Sequence, residues 1–253
     1  MTKTLLFDIE TAPNRGFTWG KYDQSVLAFD QPWYVLCFAY KWLGERGKPV
    51  VVGLPDYPDT YAREPTDDSL VVGALHALLD EADIVVGHNA KNFDVPKARA
   101  RMIALGMSPP APFKVVDTLQ VARREFEFTS NSLKDVCKTL GLDAKGETGG
   151  FGLWLGCMDG DEKSWAKMRR YNQQDVIILE QLYNRLLPWI ERHPNVALIE
   201  DRPEACPKCG ADGTMQARGY AINSVSRRRR FQCQACGGWS LGRTPIKSEV
   251  KYY

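Results

Sequence analysis

Four acids and four cysteines carry the chemistry this sequence of 253 residues offers. Asp8 and Glu10 stand two apart in Phe7-Asp8-Ile9-Glu10-Thr11, where the apolar run Thr4 to Ile9 ends. On an extended strand the two acids project from one face while Phe7 and Ile9 pack on the other. Neighbouring acids on an apolar strand repel one another and lose hydration, and a bound divalent cation would offset both costs. A strand that surfaces at its end and leaves two solvated acids is the plain alternative. A third acid, Asp94, closes Gly87-His88-Asn89-Ala90-Lys91-Asn92-Phe93-Asp94, where the chain leaves a strand, turns through polar residues and enters a helix. Ligands of α/β sheets bind beyond such strand ends, although an acid there also suits a helix N-cap. His88 reads as a hydrogen-bonded residue at a strand end rather than a ligand or base.

The fourth acid is singled out by helix periodicity. Asp175, Leu179, Leu182 and Leu186 fall at i, i+4, i+7 and i+11, so the acid lies on the inward stripe. Tyr171 sits one turn earlier on that face. An inward carboxylate needs a partner, either a metal shared with Asp8 and Glu10 or an arginine.

Together these segments resemble the DEDD exonucleases, the proofreading-type 3′-to-5′ exonucleases with a ribonuclease H-like fold. Phe7-Asp8-Ile9-Glu10-Thr11 is similar to the first motif of that family, Asn89 to Asp94 to the second, and Tyr171-x-x-x-Asp175 to the third. A tyrosine four residues before the last acid marks the DEDDy branch; the histidine branch would place His where this chain has Arg170. The resemblance runs over about residues 4 to 186 and takes in Val115-Val116-Asp117-Thr118-Leu119 and Asn131-Ser132-Leu133-Lys134. It implies two Mg²⁺ or Mn²⁺ ions, with Asp8 bridging both, Glu10 and Asp175 completing one site and Asp94 supporting the other. It also implies that Tyr171 orients the attacking water and that Asn89 lies against nucleic acid.

Cys206-Pro-Lys-Cys209-Gly and Cys233-Gln-Ala-Cys236-Gly form two Cys-x-x-Cys pairs separated by residues 210 to 232. Four thiolates so spaced suit one tetrahedral Zn²⁺, and so short a segment has little core of its own to fold on. The module resembles a zinc ribbon. Between the pairs lie Arg227, Arg228, Arg229, Arg230 and Phe231, with Tyr220, Trp239 and Arg243 nearby. Guanidinium groups interleaved with aromatics suit phosphate contact and base stacking; a solvated charge run over a tiny aromatic core is the alternative. Cys37, Cys137 and Cys157 stand alone and read as buried thiols of a reducing compartment.

The elements that must hold these groups follow from patterning. Thr4 to Ile9, Val35 to Leu43 and Val50 to Leu54 read as three strands joined by turns. Asp67 to Glu81 is helical, Asp83 to Gly87 a strand, Val95 to Leu105 a helix and Lys114 to Asp117 a strand. Helices follow over Thr118 to Phe126 and Ser132 to Leu140, the second capped by Asn131 or Ser130. Gly146 to Gly152 reads as a mobile loop, and a long helix spans about Asp161 to Leu187. The expected fold is α/β, a ribonuclease H-like mixed sheet flanked by helices, over residues 1–190. A proline-stiffened linker over 191–203 then leads to the ribbon of 204–253.

Composition sets the partners. Residues 1–201 carry 23 Lys+Arg against 28 Asp+Glu, while residues 202–253 carry 10 against 3. An acidic body with a basic tail suggests that the tail meets a polyanion. The opening lacks the apolar core of a signal peptide, and no uncharged apolar run nears the roughly 20 residues of a membrane span, so a cytoplasmic protein of a bacterium or an infected host cell is expected. The expectation is a metal-dependent 3′-to-5′ exonuclease on single-stranded DNA or RNA, its ribbon gripping substrate or docking a replication or repair protein. A catalytically idle nucleic-acid adaptor and a ribonuclease H-like endonuclease or resolvase are the alternatives.

Overall fold

A computed structural model describes residues 1–22, 25–142, 150–224 and 226–246. In chain order the strands and helices are β1 (Thr4–Thr11), β2 (Arg15–Phe17), β3 (Ala28–Gln31), β4 (Val35–Trp42), β5 (Val50–Gly53), α1 (Pro58–Arg63), α2 (Ser69–Glu81), β6 (Ile84–Gly87), α3 (Asp94–Ala104), β7 (Lys114–Asp117), α4 (Thr118–Glu125), α5 (Leu133–Thr139), α6 (Gly152–Met158), α7 (Glu162–Leu186), α8 (Val196–Ile199), β8 (Met215–Ile222), β9 (Arg227–Cys233) and β10 (Trp239–Leu241).

The main sheet has the order β5-β4-β1-β6-β7. β4 is antiparallel to both β1 and β5, whereas β1, β6 and β7 run parallel. It is the mixed α/β sheet expected. The central strand β1 is buried on both faces, and its side chains alternate between two cores. Leu5, Phe7 and Ile9 join α2 and α3 on one side. Leu6 joins Leu179, Leu182 and Leu186 of α7 on the other. Asp8 and Glu10 continue the Leu6 face, so period-2 alternation delivers both acids to α7 at the point where the apolar contacts end.

Beyond the short helices α1 and α8, which the sequence expectation lacks, further features differ from it. Arg15–Phe17 and Ala28–Gln31, between the first two expected strands, pair as the separate two-stranded sheet of β2 and β3. The helix α5 is capped by Ser132, whose extended backbone lets its hydroxyl accept from the Asp135 amide at 3.2 Å; Ser130 instead donates to the Asp135 carboxylate at 2.6 Å. α6 begins at Gly152, at the end of the glycine-rich stretch; residues 146–149 of that stretch lie outside the described residues.

The C-terminal sheet, β10-β9-β8, is antiparallel and largely exposed. It is tied to the body near the end of α7. Cys209 and Cys236 pack against the core that includes Tyr183, Leu187, Ile190 and Val196. Lys208 donates its ammonium to the Pro188 carbonyl at 2.7 Å, and Val196 donates its amide to the Pro207 carbonyl at 2.9 Å. Among the described residues no helix is long and apolar enough to cross a membrane.

Candidate active site

Asp8, Glu10 and Asp175 each offer a carboxylate oxygen, and the three oxygens lie within 4.8 Å of one another. Asp175 is 2% exposed, on the inward face of α7 as its spacing predicts. Two ionised carboxylates at that distance repel by roughly 3 kcal/mol at an effective dielectric of about 20. Three such pairs are costly, and a hard oxygen donor set of this kind fits Mg²⁺ or Mn²⁺.

Neighbouring side chains fix the trio. Asn172, fully buried one residue after Tyr171, donates its amide to the Asp8 carboxylate at 2.7 Å and to the Asp8 carbonyl at 3.2 Å. Its own oxygen faces the Cys37 thiol at 3.8 Å. Trp154 of α6 donates its indole N–H to Glu10 at 3.2 Å and meets the Tyr171 ring edge-on, with centroids 6.3 Å apart. Neither Asn172 nor Trp154 was singled out by sequence. Groups that orient metal ligands typically carry tenfold to a hundredfold in activity. Asn172→Leu is therefore expected to cut activity about thirtyfold with the fold retained, checked by initial rates beside a thermal melt.

Tyr171 is half-buried above the acids. Burial, the charges of Asp175, Glu10 and Asp8, and a hydrogen bond to Asp175 all hold its hydroxyl protonated, far above the ordinary tyrosine range.

Asp94 occupies a different position from the trio. It is 2% exposed at the start of α3, and its carboxylate accepts the Ile9 amide at 3.0 Å, beside the strand that carries Asp8 and Glu10. It is the first helical residue, and besides the Ile9 amide its carboxylate accepts from its own backbone amide. Burial pushes its carboxyl up to about 7, with the charge of Asp117 adding to the rise and the Ile9 amide opposing it. Between the unfolded value of 3.8 and about 7, folded Asp94 keeps its proton while the unfolded chain has lost it. Metal-free stability is thus expected to fall as pH rises from about 4 to 7 and to level off above. Asp94→Asn, which keeps the acceptor for Ile9, should flatten that slope in a pH series of denaturant melts.

The turn before Asp94 is set by Asp117 at the end of β7. Asp117 accepts from the amides of Asn89 and Lys91, both at 3.0 Å, and caps α4 through Leu119 and Gln120. Gly87 is required where the turn folds back, since a Cβ there would meet the Ala90 Cβ at 2.6 Å. Asn89 takes the left-handed region at φ 71°, which asparagine tolerates. His88 is bonded on both ring nitrogens, to the Thr118 hydroxyl at 2.9 Å and the Asn131 carbonyl at 3.0 Å.

The second centre lies in the ribbon, where the sulfurs of Cys206, Cys209, Cys233 and Cys236 converge within 4.8 Å. Four thiolates with this spacing fit tetrahedral zinc. The Thr214 hydroxyl lies 3.2 Å from the Cys233 sulfur, and the Cys236 amide donates to it at 3.4 Å. The arginines of β9 divide by face. Arg227 and Arg229 stand over the Tyr220 ring, at 3.7 and 4.9 Å, and Arg230 lies 5.4 Å from Trp239. Arg228 is turned to the Arg243 carbonyl at 2.8 Å, and Phe231 is half-buried beside Gly242.

A family model described as the RNase_H superfamily matches residues 53–187, more than half of the chain. The chain belongs to the RNase H superfamily. Within the matched stretch of this RNase H superfamily member lie Asp94, Tyr171 and Asp175; Asp8 and Glu10 precede it, and the ribbon follows it. No curated protein matches the chain. Among solved structures it is similar to the family B DNA polymerase from the hyperthermophilic archaeon Pyrobaculum calidifontis, with a TM-score of 0.55 and 21% identity. That similarity covers 75% of this chain and 25% of the polymerase, so the chain spans about a quarter of its length, and what the two share is the fold. Membership of the superfamily supports nuclease-type hydrolysis as the general activity.

Proposed function

We propose that this protein is a metal-dependent 3′-to-5′ exonuclease that hydrolyses phosphodiester bonds of single-stranded nucleic acid, DNA in preference to RNA. The observation that carries the reading is the convergence of Asp8, Glu10 and Asp175, with Tyr171 bonded to Asp175, at the carboxyl end of β1. Asp94, whose carboxylate accepts the amide of Ile9 between Asp8 and Glu10, is the fourth acid of the reading. These four acids are the residues that would hold two Mg²⁺ or Mn²⁺ ions, which when bound supply an activated water and neutralise the charge gathering on the phosphate. The chain's own part is positional. Asn172 and Trp154 hold Asp8 and Glu10 in one orientation, and Tyr171, kept protonated, directs its hydroxyl at the attacking water. Asn89, at the bend of the turn before Asp94, would meet the substrate strand. The preference for DNA rests on the similarity to a DNA polymerase.

Linear and circular single strands test the exonuclease reading against the endonuclease one. An enzyme that needs an end leaves a circular single-stranded DNA intact while degrading its linear form. Cutting of the circle at a comparable rate would make the protein an endonuclease.

The zinc-held ribbon adds a cationic face for the same strand, with Tyr220 between Arg227 and Arg229. For Arg227→Ala/Arg229→Ala we expect weaker binding of single-stranded DNA and a slope of log affinity against log salt shallower by about 1.4. Anisotropy titrations across a salt series check this. An unchanged slope would point instead to a replication or repair protein as the ribbon's partner.

A further inference from the structure

We propose that the β2–β3 hairpin is a base-stacking platform for the single strand, seating nucleotides that trail behind the reacting end. The proposal rests on the exonuclease reading for its substrate class. The hairpin is an excursion from the catalytic strand itself: its chain departs just beyond Glu10, where the Ala12 amide donates to the Tyr34 carbonyl at 2.9 Å, and returns into β4. It displays Phe17, Trp19, Tyr22 and Phe29 at 60, 88, 74 and 59% exposure, and none of them joins either core. Scattered surface apolar residues are ordinary, but four large exposed rings on one short hairpin, Phe17 and Phe29 on its two opposite faces, mark a segment that a partner covers.

Its position and chemistry point to nucleotides. The hairpin's root is pinned to the site: Asn14 accepts the Trp33 amide at 2.9 Å, and the Lys97 ammonium rests 3.6 Å from the centre of the Trp33 ring. Lys97 lies one turn beyond Asp94 on α3, so this cation–ring contact bridges the hairpin to the helix that begins with that acid. Trp19 is nine residues from Glu10, a reach of at most about 32 Å and less along a folded hairpin. Cations accompany the rings, with Lys21 5.5 Å from the Tyr22 ring and Lys97 on Trp33. Flat faces for bases beside cations for phosphates are the combination by which proteins hold single strands without sequence preference. The Arg15–Asp30 ion pair, at 2.9 Å across the two strands, keeps the hairpin in register.

The test uses the full-length protein with Trp19→Ala/Tyr22→Ala, at side chains too exposed to support the fold. The substrates are a 20-nucleotide single-stranded DNA and the p-nitrophenyl ester of thymidine 5′-phosphate, which reaches only the carboxylate centre. We expect KM for the oligonucleotide to rise about tenfold with kcat unchanged, and hydrolysis of the ester to be unaffected. Anisotropy titration of the labelled oligonucleotide without added metal should show the same loss of affinity. Equal affinity and KM in variant and parent would overturn the proposal. So would a parent dimer that the substitutions split with oligonucleotide affinity intact, because a second copy would then be what covers the rings. A parent that cleaves neither substrate counts against the exonuclease reading alone, and the anisotropy titration still decides the hairpin.

Discussion

A purified Asp8→Ala protein is expected to lose nuclease activity by on the order of a thousandfold, the upper range for removal of one preorganised charge-stabilising group. Its melting temperature in chelator should hold or rise. Both halves follow from the same geometry. Asp8 is the acid that lies within 4.8 Å of Glu10 and Asp175 and also receives the Asn172 amide, so removing it opens the centre of the cation site. Without a cation the same carboxylate repels its two neighbours, and its loss relieves that repulsion. Added Mg²⁺ or Mn²⁺ should stabilise the parent in a concentration-dependent way and leave Asp8→Ala nearly unmoved, since only a ligand that binds the folded state raises its stability. Thermal melts with and without metal, read beside initial rates, check both. A variant that loses activity by unfolding would show a lowered melt in chelator.

The second large effect concerns zinc. Stripping the metal, or Cys206→Ser, is expected to unfold β8–β10 while leaving the five-stranded sheet intact. The strands of the ribbon bury little: across β8 and β9 the one buried residue is Cys233, itself a metal ligand. Binding of structural zinc by four cysteines is worth about 10–16 kcal/mol in small modules, far beyond what this sheet's packing can supply. The body keeps its own cores, but the ribbon's loss uncovers the patch of Tyr183, Leu187 and Ile190 that Cys209 and Cys236 cover. The metal-free protein should therefore aggregate more readily as well. Metal analysis showing one zinc per chain, followed by hydrogen exchange, reads this directly. Amides of β8–β10 that stay protected in verified metal-free protein would contradict it.

The parts of this molecule legible in its sequence are those whose signal is local. The run before Asp8, the four-residue strand Lys114–Asp117 and the stripe of Asp175, Leu179, Leu182 and Leu186 each carry their periodicity within a few turns, and the structure has them as strand, strand and inward helix face. The cysteine pairs were legible because their spacing is itself the signal. What escaped is tertiary or inverted. Trp154 meets Glu10 across 144 residues, from a helix that begins within a glycine-rich stretch. Asn172 looks like a solvated polar residue beside Tyr171, yet it is fully buried because Asp8 needs a donor there. The β2–β3 hairpin turns its aromatics to water, so the apolar alternation that reveals a packed strand is missing. Asp94 read by itself as a helix cap and by resemblance as a ligand; its burial and its bond to the Ile9 amide are tertiary and carry no local signal.

The exonuclease claim is tested most directly by a single-stranded DNA oligonucleotide labelled at its 5′ end, incubated with Mg²⁺ or Mn²⁺ and resolved over time, beside Asp8→Ala and a matched RNA. The account predicts a ladder of labelled products shortening one nucleotide at a time from the 3′ end, absent with Asp8→Ala and slower on RNA. Release of the label as a mononucleotide at the earliest times, or binding without cleavage in either metal, would contradict it.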